Sequence, residues 1–163
     1  VTINKWQHLL EEDAVKKIII DSLKYLVEQK KIEVYGFVIM PNHIHLIWQT
    51  LALNGKESAQ GSFLKFTAHA FKKYLMTLQP NELKHYSVEA SNKNYEFWQR
   101  DPLAFKLSNI DTTLQKLNYI HNNPLAQHWL LATEPINYFY SSALFYENGK
   151  NDFGFLKNIV DVF

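Results

Sequence analysis

Apolar positions recur along this chain with two different periods, and the switches between them mark out the elements. Residues 12–30 follow the helical period. Val15, Ile19, Ser22 and Leu26 share one face, while Lys17, Asp21, Lys24 and Glu28 share the other. Residues 33–39 and 43–49 are β-branched and aromatic runs either side of Pro41-Asn42, which predicts a β-hairpin. Residues 1–6 are short and rich in strand formers and read as a further strand; with no initiator Met ahead of it, the chain reads as beginning partway into this first element. Residues 52–61 read as a loop, 62–78 as a second amphipathic helix stopped near Pro80, 80–94 as polar connection, and 95–99 as a fourth strand. A third helix is expected over 109–122, opened by the capping-box-like Ser108-Asn109-Ile110-Asp111 and ended by Pro124. The aromatic stretch through Tyr138-Phe139-Tyr140-Ser141-Ser142 is expected to pack back on the core.

The order strand, helix, strand, strand, helix, strand, helix predicts an α+β fold of ferredoxin-like (split βαβ) type. Its antiparallel sheet carries helices on one face, with an added C-terminal helix. No repeat, low-complexity tract or linker interrupts it, so residues 1–163 are expected to form one domain.

Composition narrows the chemistry. The 163 residues include no cysteine, which removes disulfides, thiolate metal sites and a cysteine nucleophile. No stretch of about 18 apolar residues is free of charge, so no membrane span is expected. The Ile18-Ile19-Ile20 run is too short for a signal-peptide core, and the cytoplasm is the expected compartment. Net charge is +1 but unevenly spread: residues 54–128 carry nine basic against six acidic side chains, and residues 129–163 two against four. A mildly basic middle permits a phosphate-binding face without demanding one.

His43 and His45 stand two apart on a predicted strand, so both imidazoles point the same way while Ile44 and Leu46 point the other. Such a pair suits either a solvent-facing edge or one divalent cation. On the third helix, Ile110, Leu114, Leu117 and Ile120 form the expected buried stripe. At about 100° per residue, Tyr119 falls opposite it, beside Thr112, Gln115 and Lys116. Asn123 lies on the same side if the helix continues up to Pro124, although a residue before proline resists helical angles. A phenol is a poor nucleophile near pH 7, but a metal ion on a scissile phosphate raises the electrophilicity of phosphorus. Lys65, His69, Lys72 and Met76, with Lys73 at the flank, form the polar face of the second helix, opposite Phe63, Ala70 and Tyr74. That lysine stripe suits a phosphate backbone as well as plain solvent. Trp98 and Gln99 are candidates for stacking on or bonding to unpaired bases.

These segments resemble the HUH-type single-tyrosine transposases, and especially the REP-associated tyrosine transposases. Residues 34–47, with Met40-Pro41-Asn42-His43-Ile44-His45, are similar to that family's metal-binding segment. Phe97-Trp98-Gln99, Tyr119-Ile120-His121-Asn122-Asn123-Pro124 and Tyr140-Ser141-Ser142 resemble its later blocks, in the same order, over residues 1–145. The resemblance implies that His43 and His45 are paired metal ligands and that Tyr119 is the nucleophile. It makes Asn123, where many relatives carry glutamine, the third ligand. It also implies Mg²⁺ or Mn²⁺ as cofactor and single-stranded or hairpin DNA as partner. The reaction would leave a 5′-phosphotyrosine and a free 3′-hydroxyl. The tyrosine follows the histidines, whereas relaxases place it before them, and the position four residues on is Asn123 rather than the second tyrosine of many rolling-circle initiators.

Three other readings stay open beside it. A domesticated relative would bind or nick hairpin repeats without mobilising itself. A non-catalytic module would bind single strands by stacking on an aromatic sheet. A water-using phosphoesterase would hydrolyse with no covalent adduct. The resemblance leaves monomer and homodimer equally open.

Overall fold

Strand β1 (Ile32–Ile39) pairs antiparallel with β2 (Ile44–Thr50) in a computed structural model that describes residues 1–90, 93–100 and 102–163. The hairpin closes where the Met40 N–H donates to the His43 carbonyl at 2.8 Å. Along β1, Val34 faces Trp48 and Gly36 faces Ile47, so Tyr35 is an extra residue, a β-bulge. The bulge inverts the alternation of faces. Ile32 and Val34 before it, and Phe37 and Ile39 after it, enter one core. Tyr35, Val38 and Met40 enter a second cluster on the opposite face. Both faces of β1 are thereby buried. On β2, Ile44, Leu46 and Trp48 belong to the first core and Ile47 to the second.

Helices α1 (Asp13–Glu28) and α2 (Ala59–Leu78) pack on each other over the first face. The α1 stripe is Val15, Ile19, Ser22, Leu23 and Leu26, as its period predicts. Helix α2 begins earlier than its sequence suggests, because Ser58 caps it by accepting the Gly61 N–H at 3.0 Å. Its buried stripe is Ala59, Phe63, Thr67, Phe71 and Leu75; Ala70 and Tyr74 are only half-buried.

The first predicted strand is shorter than expected. Only Thr2 and Ile3 form bridges, to His43 and Trp98 respectively, and Asn4–Trp6 turns away as a 3₁₀ segment. Residues 1–3 nonetheless lie between two neighbours. The Ile44 N–H donates to the Val1 carbonyl and the Ile3 N–H to the Asn42 carbonyl, each at 2.8 Å. On the other side, the Asn4 N–H donates to Phe97 at 2.7 Å and the Gln99 N–H to Thr2 at 2.8 Å. The region read as polar connection holds a short helix α3 (Pro80–Leu83) and a second small antiparallel sheet, β3 (Ser87–Ala90) with β4 (Lys93–Tyr95). Residues 91 and 92 of that region lie outside the described residues.

Helix α4 (Ile110–Asn122) packs on the second face, so helices cover both sides of the hairpin. Its cap is Asn109, whose side chain accepts the Thr112 N–H at 3.1 Å; Ser108 stands one residue too early for that bond. The buried stripe is Thr113, Leu117, Ile120 and His121, rotated from the expected one, and Leu114 is 40% exposed. The free edge of β1 is covered by residues 140–142: the Ile39 N–H donates to Tyr140 and the Ser142 N–H to Phe37, both at 2.9 Å. Helix α5 (Ala143–Asn148) follows. Among the described residues, no helix is long and apolar enough to cross a membrane.

Candidate functional site

The approach of α4 to the hairpin depends on a missing side chain. A Cβ on Gly36 would stand 2.5 Å from Cδ1 of Leu117, so glycine lets the helix lie this close without displacing that side chain. A buried polar contact fixes the same helix from behind. Nε2 of His121 is 2.8 Å from Oγ of Ser142, and that oxygen also accepts the Phe37 N–H at 3.0 Å. Burial pushes the His121 pKa down to about 4, so the ring is neutral and serves as a hydrogen-bonding strut.

With that side of α4 pinned, the opposite side carries Lys116, Tyr119 and Asn123. Asn123 adopts φ −56°, ψ −42°, so the chain keeps its helical direction up to Pro124 despite the clash that usually disfavours it. Tyr119 is 56% exposed. Its ring meets that of His45 edge-on, with centroids 5.6 Å apart, and the His43 and His45 rings lie 4.9 Å apart. Nδ2 of Asn123 is 3.4 Å from Nε2 of His45. The Lys116 ammonium sits 5.8 Å from the centre of the Tyr119 ring. Five side chains from two distant segments therefore share one small volume on the second face.

Both imidazoles are held uncharged. Burial lowers the pKa of each to about 4, with the neighbouring His45 adding to the effect on His43 and the Lys116 ammonium contributing at His45. Nδ1 of His43 lies 2.7 Å from Oδ1 of Asn42, which can only accept, so the ring carries its proton on Nδ1 and leaves the Nε2 lone pair free. Among the described residues, no group of three or more His, Cys, Asp or Glu side chains converges. The available donor set is two neutral imidazoles and, if the Asn123 amide turns over, one amide oxygen. Such a set fits a divalent cation that keeps open positions for substrate, and suits a first-row ion such as Mn²⁺ better than the oxygen-seeking Mg²⁺.

The remaining predicted residues lie elsewhere. Lys65, Lys72 and Lys73 ride on α2, which packs on the face of the hairpin opposite His43 and His45. Lys65 pairs with Glu57 at 2.6 Å, and the Lys72 ammonium sits 5.2 Å from the Tyr95 ring. Trp98 is a correction to the sequence reading. It is buried and donates its indole N–H to Oγ1 of Thr67 at 2.9 Å, so it packs in the core and offers no face to a base. Gln99 is half-buried beside residues 1–3. The aromatic residues beside the histidines are instead Trp6, 6.5 Å from the His43 ring, and Trp129, 6.1 Å from it. Neither had a local signal, because one ends a presumed strand and the other follows the proline that ends α4. A groove of about 700 Å³ near the end of α2 is lined by Glu11, Glu12 and Glu82 and contains none of these site residues. Its carboxylates would repel phosphate.

No protein-family model matches the chain, and no curated relative does. A solved structure of the REP-associated tyrosine transposase bound to a REP hairpin has the same fold, with a TM-score of 0.60. It is 16% identical, and the alignment covers 98% of this chain and 83% of that one.

Proposed function

We propose that this chain cleaves and rejoins single-stranded DNA in a metal-dependent reaction, with Tyr119 as the nucleophile and a 5′-phosphotyrosine as the intermediate. One observation carries the reading: the Tyr119 ring lies 5.6 Å from His45, whose Nε2 is 3.4 Å from the Asn123 amide. The shared fold with a tyrosine transposase supports the same class of chemistry, and that protein's REP hairpin makes hairpin DNA the substrate to try first. The isolated bridges of Thr2 to His43 and of Ile3 to Trp98 bring residues 1–3 between β2 and the Trp98 segment, which supports a ferredoxin-like reading of the sheet.

In this reading His43, His45 and Asn123 hold Mn²⁺ or Mg²⁺. When bound, the ion supplies charge neutralisation at the scissile phosphate. The exposed face of α4 presents the Tyr119 hydroxyl to that phosphate. Its oxygen bonds to phosphorus as the bond from phosphorus to the 3′ oxygen breaks. The phenolic proton passes to solvent, and the departing oxygen takes up a proton to leave as the 3′-hydroxyl. The Lys116 ammonium, 5.8 Å from the centre of the ring, places a cation beside the attacking residue where the phosphate would lie. Rejoining is the same sequence reversed by another 3′-hydroxyl.

The test is a covalent trap. The protein is incubated with 5′- and 3′-labelled hairpin DNA and Mn²⁺, and the products are separated under denaturing conditions. Wild type is expected to yield a protein–DNA adduct that retains the label 3′ of the cut, and Tyr119→Phe neither adduct nor product. Nicking by Tyr119→Phe with a free 5′-phosphate would make water the nucleophile and overturn the proposal.

A further inference from the structure

The backbone takes an unusual path just ahead of the histidine pair. Lys5 has φ 54° and Trp6 φ 57°, two successive left-handed residues, neither of them glycine. Backbone in that region is strained for any residue with a side chain, and bulky side chains are rarely found there. The result of the turn is that Trp6 stands 59% exposed, with its ring edge-on to His43 at 6.5 Å. A tryptophan that served the core would be folded under the chain, as Trp98 is.

The turn is tied directly to the site. The Trp6 N–H donates to Ile3 at 3.0 Å, and the Trp6 carbonyl accepts from Nδ2 of Asn42 at 3.4 Å. Oδ1 of that same Asn42 lies 2.7 Å from Nδ1 of His43. One buried amide thus sets both the histidine and the tryptophan, and these bonds leave the indole unused. Trp129, half-buried, flanks the same histidine at 6.1 Å and is itself 5.7 Å from the His8 ring.

We infer that Trp6 is a stacking platform for one unpaired DNA base next to the phosphate at the His43–His45 site. The inference rests on the DNA reading above and adds the group that grips the strand beside the cut. An exposed indole suits this occupant because every base has a π-face, and stacking tolerates any sequence. The left-handed turn and the Asn42 bond to the Trp6 carbonyl fix the backbone that presents the ring, so less ordering is required when the base arrives.

The experiment uses the full chain and a fluorescent DNA hairpin with a single-stranded flank, titrated at fixed salt. Trp6→Ala and Trp6→Leu are expected to bind roughly tenfold more weakly or worse, and Trp6→Tyr to stay within about threefold of wild type. Because the leucine variant keeps apolar bulk while losing the aromatic face, it separates stacking from a packing defect. Abasic sites placed one at a time along the flank should include one position that weakens wild type but has no effect on Trp6→Leu. If Trp6→Leu binds as wild type does, with the same abasic profile, the platform is elsewhere and the DNA reading stands. If wild type shows no preference for unpaired over duplex DNA, both readings fall together.

Discussion

The side-chain amide of Asn123 lies 3.4 Å from Nε2 of His45, across 78 positions of sequence. In the proposed metal site, that distance makes Asn123 the position at which affinity for the ion would be tuned. Asn123→Asp supplies a hard, charged oxygen and is expected to tighten Mn²⁺ binding by roughly tenfold, while Asn123→Leu weakens it by a similar factor. Calorimetric titration with Mn²⁺ reads both. Equal affinities for the two variants would remove Asn123 from the donor set.

Gly36 sets the height of α4 above the hairpin. Gly36→Ala places a methyl group 2.5 Å from Cδ1 of Leu117, so the leucine must move or the helix must lift. The expected cost is about 1–2 kcal/mol, typical of an overpacked core, measured as a lower urea midpoint with an unchanged slope. Cleavage should fall further than stability does, because Tyr119 rides on the displaced helix. Gly36→Ala with native stability would mean that Leu117 yields freely.

Acid should loosen the protein by protonating its buried histidines. His121 titrates near 4 when folded and near 6.5 when unfolded, since burial disfavours its charged form. As the pH falls, the unfolded chain therefore takes up this proton first. The stabilisation is complete above about pH 6.5 and drains away toward pH 4, by roughly 2–3 kcal/mol for this one group. Urea melts at pH 7.5 and 4.5 should show the loss, and His121→Gln should show less of it. Equal losses in both proteins would place the acid sensitivity in other groups.

The lysines of α2 lie across the hairpin from the candidate site. Lys65, Lys72 and Lys73 replaced together by alanine are expected to leave single-strand affinity within about threefold, with nearly the same salt slope. A slope reduced by about two to three would put the phosphate path over α2 after all.

What the sequence made legible was what depends on local period. The shared direction of His43 and His45 follows from a two-residue repeat, and the outward side of Tyr119 from a helical one, even though the stripe it opposes is rotated toward Thr113 and His121. What it hid depends on contacts between distant segments. A glycine misled at the start of α2: Gly61 reads as loop, but Ser58 caps a helix that runs straight through it. Trp98 looked available because nothing nearby in sequence announces that Thr67 will accept its N–H. The Lys5-Trp6 turn had no glycine to signal left-handed backbone.

The extra residue at Tyr35 has a consequence for how this protein can change in length. Upstream of it the even-numbered positions of β1 face α1 and α2, and downstream the odd-numbered ones do. Losing that one residue while the turn end of the hairpin stayed in place would make β1 a regular strand, with Ile32 and Val34 still toward α1 and α2 and only Tyr35 gone from the α4 face. The bulge is therefore the place where β1 can lose a single residue without turning its core positions over, while inserting a further residue ahead of it would reverse Ile32 and Val34. A library of single-residue length variants, sorted for soluble protein, would be expected to return deletions at the bulge more often than insertions ahead of it.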